Sequence, residues 1–252
     1  MGELQMSWYS PEPVRAPPRS PRRQPIKTVP SGIGDQDIVA NYLFYRLKGG
    51  DHLHDFSPEK NHGTINGGAK WKDGQYGWAL NLDGTDDVIN IPADPSLSDY
   101  NAFTICMWIK PTLVSGESQP AFNKSSWNTY GRLGGDGSVY FIIKNTAGDS
   151  SVITNLEGGT PVRDGKWNHI VFLADVNKDL QADYVNGELD YSQSIAWTGD
   201  LQFGVDDSIE LGLGPNGYCT GVIGITRIYI GVAKSSSWIS KRYERTKGIF
   251  RS

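Results

Sequence analysis

The 252-residue chain balances 24 Lys or Arg against 28 Asp or Glu, and a net charge of −4 argues against a whole-molecule attraction to nucleic acid. No run approaches the roughly 18 apolar residues that a membrane-spanning helix needs, and the start, MGELQMSWYSPEP, lacks the basic and apolar regions of a secretory signal. Thirty glycines alongside 8 Trp and 12 Tyr suit tight turns joining strands that carry large aromatic anchors.

Residues 1–30 are a different material from the rest. They hold seven of the fourteen prolines and five Lys or Arg against two Glu, with almost no apolar side chain to bury. Proline fixes φ and withholds a donor, so residues 1–35 are expected to form an extended arm and residues 36–252 a folded domain. The arm's anchors are Trp8 and Tyr9, and its cations include Arg15, Arg19, Arg22 and Arg23. These six are the expected contacts to protein subunits of a larger assembly. Arg15, Pro18 and Pro21 also fit an Arg-x-x-Pro-x-x-Pro docking ligand, a match that arises readily in such a segment. Nucleic-acid contact would call for interleaved aromatics, which the arm lacks.

Beyond the arm, turn clusters such as Ser57-Pro58, Asn66-Gly67-Gly68, Asp73-Gly74 and Asp83-Gly84 cut the chain into runs too short for helices. Strands are predicted near 40–47, 78–82, 87–92, 102–110, 120–124, 129–134, 138–144, 150–156, 167–174, 180–186, 208–213 and 221–230. Asp136-Gly137 and Asn186-Gly187 signal hairpins, because both tolerate positive φ. At SSSWISKRYERTK the period changes; Ser237 is expected to cap a short helix with Trp238 and Ile239 inward and Arg242 and Arg245 in water. Cys106 and Cys219 lie 113 residues apart and are expected as free thiols, Cys106 because a small buried residue suits its strand.

The segment DFSPEKNHGTINGGAKWKDGQYGWALNLDGTDDVINIP (Asp55–Pro92) resembles the opening of a laminin-G-like, concanavalin A-like jelly roll. FTICMWIKP (Phe103–Pro111) resembles that family's Phe-Thr-x-x-x-Trp-x-x-Pro strand, and GKWNHIVFLAD (Gly165–Asp175) its Trp-x-His-Val strand. YVNGELD stands where the family has a Tyr-Val-Asp-Gly hairpin, and GVIGITRIYIGVAKSSSWI resembles the closing Arg-x-Tyr strand and terminal helix. The order and spacing run from Tyr42 to about Lys247. The resemblance implies an all-β fold, an antiparallel β-sandwich of the concanavalin A-like jelly-roll type with an extended N-terminal arm and a short C-terminal helix. It is nearly silent on the ligand.

Family enzymes carry Glu-x-Asp-x-x-Glu on one strand face. Here the nearest match is Glu188, Asp190 and Gln193, and an amide in the third place cannot exchange the proton, so no catalysis is expected. Asp55 matches the aspartate of the family's Asp-x-Ser motif and is the candidate ligand of a structural calcium ion. Gly224 and Ile225 replace an acidic residue that many relatives carry nearby. Asp175, Asn177 and Asp179 imitate a calcium loop but have Leu180 where glycine is needed, which favours a polar hairpin tip. His52, His54 and His62 crowd one segment, and His-x-His on a strand points both rings one way, as a transition-metal site would need. Turn and surface positions are the preferred reading, since His62 sits where relatives often have a histidine. His169 is expected in the core.

For sugar binding, exposed rings beside amides are wanted. Trp127, Asn128 and Tyr130 are the candidates; the competing reading has these, and Trp197, plugging the sandwich ends. The expected function is a non-catalytic structural or binding module, tethered by residues 1–30 and displayed on a larger assembly, with a virion capsid decoration or fibre-type protein as the specific form. The alternative is a carbohydrate-binding lectin domain of an extracellular or cell-surface protein. Neither uses a membrane span.

Overall fold

A computed structural model of the chain describes residues 35, 37–44, 50–74, 77–98, 101–124, 128–145, 147–154, 161–162, 164–195, 199–201, 203 and 207–250. Six of the arm residues singled out above, Trp8, Tyr9, Arg15, Arg19, Arg22 and Arg23, lie outside that set, as do Trp127 and Trp197.

In chain order the strands are β1 (Ile38–Tyr42), β2 (His52–Leu53), β3 (Gly63–Asn66), β4 (Lys70–Gly74), β5 (Gly77–Asp83), β6 (Val88–Ile91), β7 (Ala102–Pro111), β8 (Ser118–Lys124) and β9 (Thr129–Gly134). They continue as β10 (Val139–Lys144), β11 (Ser150–Thr154), β12 (Asn168–Asp175), β13 (Leu180–Val185), β14 (Glu188–Gln193), β15 (Ile209–Leu211), β16 (Leu213–Gly214), β17 (Gly217–Tyr218) and β18 (Thr220–Ile230). One sheet runs β14-β13-β12-β7-β18-β5-β4, with β1 also on β18; the other runs β11-β10-β9-β8-β15-β6-β3-β2. A separate hairpin pairs β16 with β17. Among the described residues one α-helix, α1 (Ser236–Thr246), follows β18.

The inner faces of the two sheets make the main core. Phe103, Ile105, Met107 and Ile109 from β7 meet Phe122 of β8 and Phe141 of β10, with Phe172 of β12 and Phe203 completing an aromatic cluster. Each ring removed from water here contributes on the order of 2–3 kcal/mol. β7 and β12 are buried on both faces, which is why FTICMWIKP shows no polar alternation. Their outer faces lie under α1, where Cys106, Val171, Leu173, Tyr184 and Tyr229 surround Ile239 in a second core. Both cysteines are buried free thiols.

Ser235, rather than Ser237, caps α1 by accepting the Trp238 N–H at 3.3 Å. Ile239 faces inward as expected, but Arg242 is also buried, at 5% exposure. A distant partner makes that tolerable. Asp35 forms a salt bridge with Arg242 and accepts from the Tyr229 hydroxyl at 3.3 Å. Asp35, the last residue of the expected arm, is thus already fastened to the body on the α1 side.

Candidate functional site

The strands β9 and β10 alternate strictly. Gly131, Leu133, Phe141 and Ile143 turn into the core, while Tyr130, Arg132, Tyr140 and Ile142 turn outward and stay partly exposed. Register then sets neighbours on that outer face: Tyr140 opposite Arg132, Ile142 opposite Tyr130, and Tyr130 opposite Asn123 of β8. Continuing across β15 and β6, Asn123 faces Glu210 and Glu210 faces Asn90, with the Asn123 amide donating to Glu210 at 2.6 Å. The outer face of this sheet therefore carries a band of amides, a carboxylate and an aromatic ring. α1 covers the other sheet.

At one end of this face the sandwich opens into a cavity of about 880 Å³. Its walls are the loop from β7 to β8, the turn from β9 to β10, and the β16–β17 hairpin, together with Arg132 and Tyr140. The side chains are those that grip hydroxyls: Glu117, Gln119, Asp136, Asn216 and the rings of Tyr140 and Tyr218. The Arg132 guanidinium lies over the Tyr140 ring at 4.5 Å and donates through Nη1 to Ser118 at 3.3 Å, while its buried Nε has no partner. Asn216 donates to the same Ser118 hydroxyl at 2.9 Å. Two walls are locked by backbone. The Gly135 N–H donates to the Glu117 carbonyl at 2.8 Å, and a Cβ at Gly135 would stand 1.8 Å from the Val114 carbonyl oxygen.

Of the expected sugar contacts, Tyr130 sits on the outer face of β9, two residues from Arg132, and Asn128 lies just before that strand, at the end away from the cavity. Sequence reasoning missed Arg132, Tyr140, Glu117 and Tyr218. The alternation in TYGRLG and VYFIIK placed the first two on one face; nothing local marked the other two, which arrive from separate loops.

Asp55 does not fit the calcium role expected of it. Its Oδ1 accepts the N–H groups of Asn41 at 2.7 Å and Ser57 at 2.8 Å, and its Oδ2 accepts the Ser57 hydroxyl at 2.6 Å and the Asn61 N–H at 2.7 Å. Four donors use the roughly four lone-pair sites of a carboxylate, so Asp55 ties β1 to the following turn by itself. The Asp175–Asp179 segment is a hairpin tip in which Asp175 pairs with Lys178 and Asp179 accepts the Ile195 N–H at 2.7 Å.

His52, His54 and His62 do converge, each offering a ring nitrogen within 4.8 Å of the others. Burial first, then the neighbouring His62 and His52, hold His54 below the ordinary imidazole range. The Asp55 N–H donates to His62 Nδ1 at 3.1 Å, which puts the proton of neutral His62 on Nε2 and takes both nitrogens out of use as ligands. His169 is in the core as expected, packed on Trp108 and pushed down to about 3 by burial, with Nδ1 lacking a partner.

The Glu188, Asp190, Gln193 trio occupies the edge strand β14. Gln193 ties the two sheets together, donating to Gln181 at 3.0 Å and Ser151 at 2.9 Å. Beside the trio, burial and then Asp190 push the Asp183 carboxyl up to about 9. Asp183 pairs with Phe172 on the inner face and is fully buried, out of reach of a substrate.

The sequence model of the concanavalin A-like lectin/glucanases superfamily matches residues 83–240. The chain belongs to that superfamily. No curated protein matches it by sequence. Among solved structures it is similar to the binding domain of Paraclostridial Mosquitocidal Protein 1, with a TM-score of 0.68, 17% identity and 83% of this chain covered. It is similar to the botulinum neurotoxin serotype D ligand binding domain solved with N-acetylneuraminic acid, again at 0.68, 17% and 83%. The chain spans about half of those two, 52% and 51%. Domain 4 of AbnA, an extracellular arabinanase from Geobacillus stearothermophilus solved with arabinotriose, is matched over 97% of its length and 81% of this chain, with a TM-score of 0.62 and 23% identity. At these identities the likeness concerns the fold.

Proposed function

We propose that the chain is a non-catalytic, lectin-like binding module whose ligand is a glycan, held in the cavity beside Arg132 and Tyr140. The observation that carries this reading is the cavity itself: a concave polar site in the size range of ligand pockets, about 300–1,000 Å³, combining two partly exposed tyrosines with carboxylate, amide and guanidinium groups. Hydroxyls along a sugar ring satisfy such groups, and the apolar ring face stacks on tyrosine. Two of the structural neighbours were solved with sugars bound, which supports the same ligand class.

The module is tethered through residues 1–30 to protein subunits of a larger assembly. Asp35 supports this part, because it fixes the arm's point of departure on the α1 side, against the sheet opposite the cavity-bearing face. A virion surface is the assembly we propose, on the strength of an arm whose proline and arginine content suits a strap across neighbouring subunits. A cell-surface or extracellular lectin uses the same cavity with the arm as a mere linker. Two measurements test the reading. On a glycan array, Arg132→Ala and Tyr140→Ala should lose signal while deletion of residues 1–30 leaves it; in co-sedimentation with particles, the deletion should abolish pelleting. Array binding untouched by both substitutions defeats the site, and pelleting without residues 1–30 defeats the tether.

A further inference from the structure

Arg227 sits on the outer face of β18, opposite Asn41 of β1 and Cys106 of β7, on the side that α1 covers. It is 3% exposed, yet among the described residues no carboxylate forms a salt bridge with its guanidinium and no group accepts a hydrogen bond from it. A guanidinium keeps its charge inside a protein and brings five N–H donors, so burying one without a counter-charge is strongly unfavourable. Arg242, on α1, is buried too, and its charge acts against that of Arg227. Asp35 pairs with Arg242. It supplies one negative charge against two positive ones.

The other titratable groups around the pair do not close that gap. Burial pushes the Cys106 thiol up to about 12 and raises the Tyr229 hydroxyl above its ordinary range, so both are neutral at neutral pH. Burial, and then the two guanidinium groups, push the His169 imidazole down to about 3, so it adds no charge. Lys234 is already matched by Asp37 at 2.8 Å. One positive charge is left uncompensated. Two orphaned acceptors mark the same region: Asn41 Oδ1, across the β1–β18 register from Arg227, and His169 Nδ1. Water satisfies acceptors of this kind but leaves the charge.

We propose that Arg227 and Arg242 hold a small monovalent anion of the halide class beneath α1. The residual charge sets the valence. The enclosure sets the size, because Asn41, Cys106, Arg227 and Arg242 are all buried. Guanidinium groups are weakly hydrated and donate charge-assisted hydrogen bonds, which suits them to an anion out of water. Asp35 is where the arm joins the body, so the anion and the two arginines together fasten β18, α1 and that junction. The site stands whether or not the cavity takes a glycan.

The test is urea unfolding of the full-length chain at neutral pH and fixed ionic strength, with chloride replacing gluconate, an anion too large for the enclosure. The urea midpoint should rise with chloride and then level off, the folded-to-unfolded ratio standing about ten-fold above its gluconate value once chloride is about ten times its Kd. Fixed ionic strength removes screening as the cause. Bromide should act as chloride does. Arg227→Met, which keeps bulk and removes the charge, should abolish the dependence. Asp35→Asn should steepen it, since two unmatched positive charges then face the anion. Crystals of the wild-type chain soaked in bromide, which need no variant to fold, should show an anomalous peak between the two guanidinium groups. The proposal is overturned by equal midpoints in chloride and gluconate, by a chloride response that Arg227→Met leaves unchanged, or by bromide-soaked crystals without a peak between Arg227 and Arg242.

Discussion

Asp183 enters the fold carrying a proton. Its carboxyl is pushed from the ordinary 3.8 up to about 9 by burial and then by Asp190, so between those values the native state holds a proton that the unfolded chain sheds. Stability from this group falls as pH rises through that window. His169 acts oppositely: with its imidazole lowered from 6.5 to about 3, the unfolded chain binds the extra proton, and stability falls as pH drops from 6.5 towards 3. Between about pH 4 and 6.5 the two slopes offset. Above 6.5 only the Asp183 slope remains, so Tm should decline from pH 6.5 to 9. Asp183→Asn should flatten that decline and stabilise the protein at neutral pH by on the order of a few kcal/mol; a wild-type Tm flat over pH 6.5–9 contradicts the assignment. None of this was legible from residues 180–186, which read as an ordinary half-polar strand. The environment of Asp183 comes from Phe172 opposite it and from Asp190 on the next strand.

Among the elements, α1 shows what period can and cannot reveal. Its existence and the inward turn of Ile239 follow from spacing, but Arg242 looked like a solvent residue because its counter-charge, Asp35, is 207 residues away. Asp35 also acts on buried Arg227, whose guanidinium is shifted down mainly by burial, and is the carboxylate among the described residues that opposes that shift. Asp35→Asn should therefore destabilise the fold by about 3 kcal/mol, the usual scale for stripping the partner from a buried charge, read as a drop in urea midpoint without a change in slope. A loss within experimental error would show that the pair is solvated. The strands β5 to β13 were largely legible because apolar alternation and turn residues coincide there. Other pieces were not: β2, β3 and the β16–β17 hairpin are too short, β4 is half charged, and β14 is an exposed polar edge whose pattern resembles a loop. The site suffered from the same limit. Tyr130 shares the outer face of β9 with Arg132, yet the cavity two residues further along depends on loops that meet only in the folded sandwich.

For the whole molecule, the two sheets have divided duties. One is covered by α1 and receives the chain from its arm at Asp35; the other keeps its outer face free of the helix and opens into the polar cavity. The cavity walls are built from residues between Gly84 and Thr220, so removing residues 1–30 should leave both Tm and glycan affinity within error of the full chain, as thermal melts and array titrations would show. Gly135→Ala should do the reverse. With a Cβ 1.8 Å from the Val114 carbonyl oxygen, the two loops must part, costing on the order of 1–3 kcal/mol of stability and weakening the ligand. The most direct test of the account is a binding isotherm for the best array glycan, measured on wild type and Tyr140→Ala at equal fold stability. Loss of the stacking ring should weaken binding about ten-fold, from roughly 1–1.5 kcal/mol. An unchanged isotherm would place the ligand elsewhere on the protein.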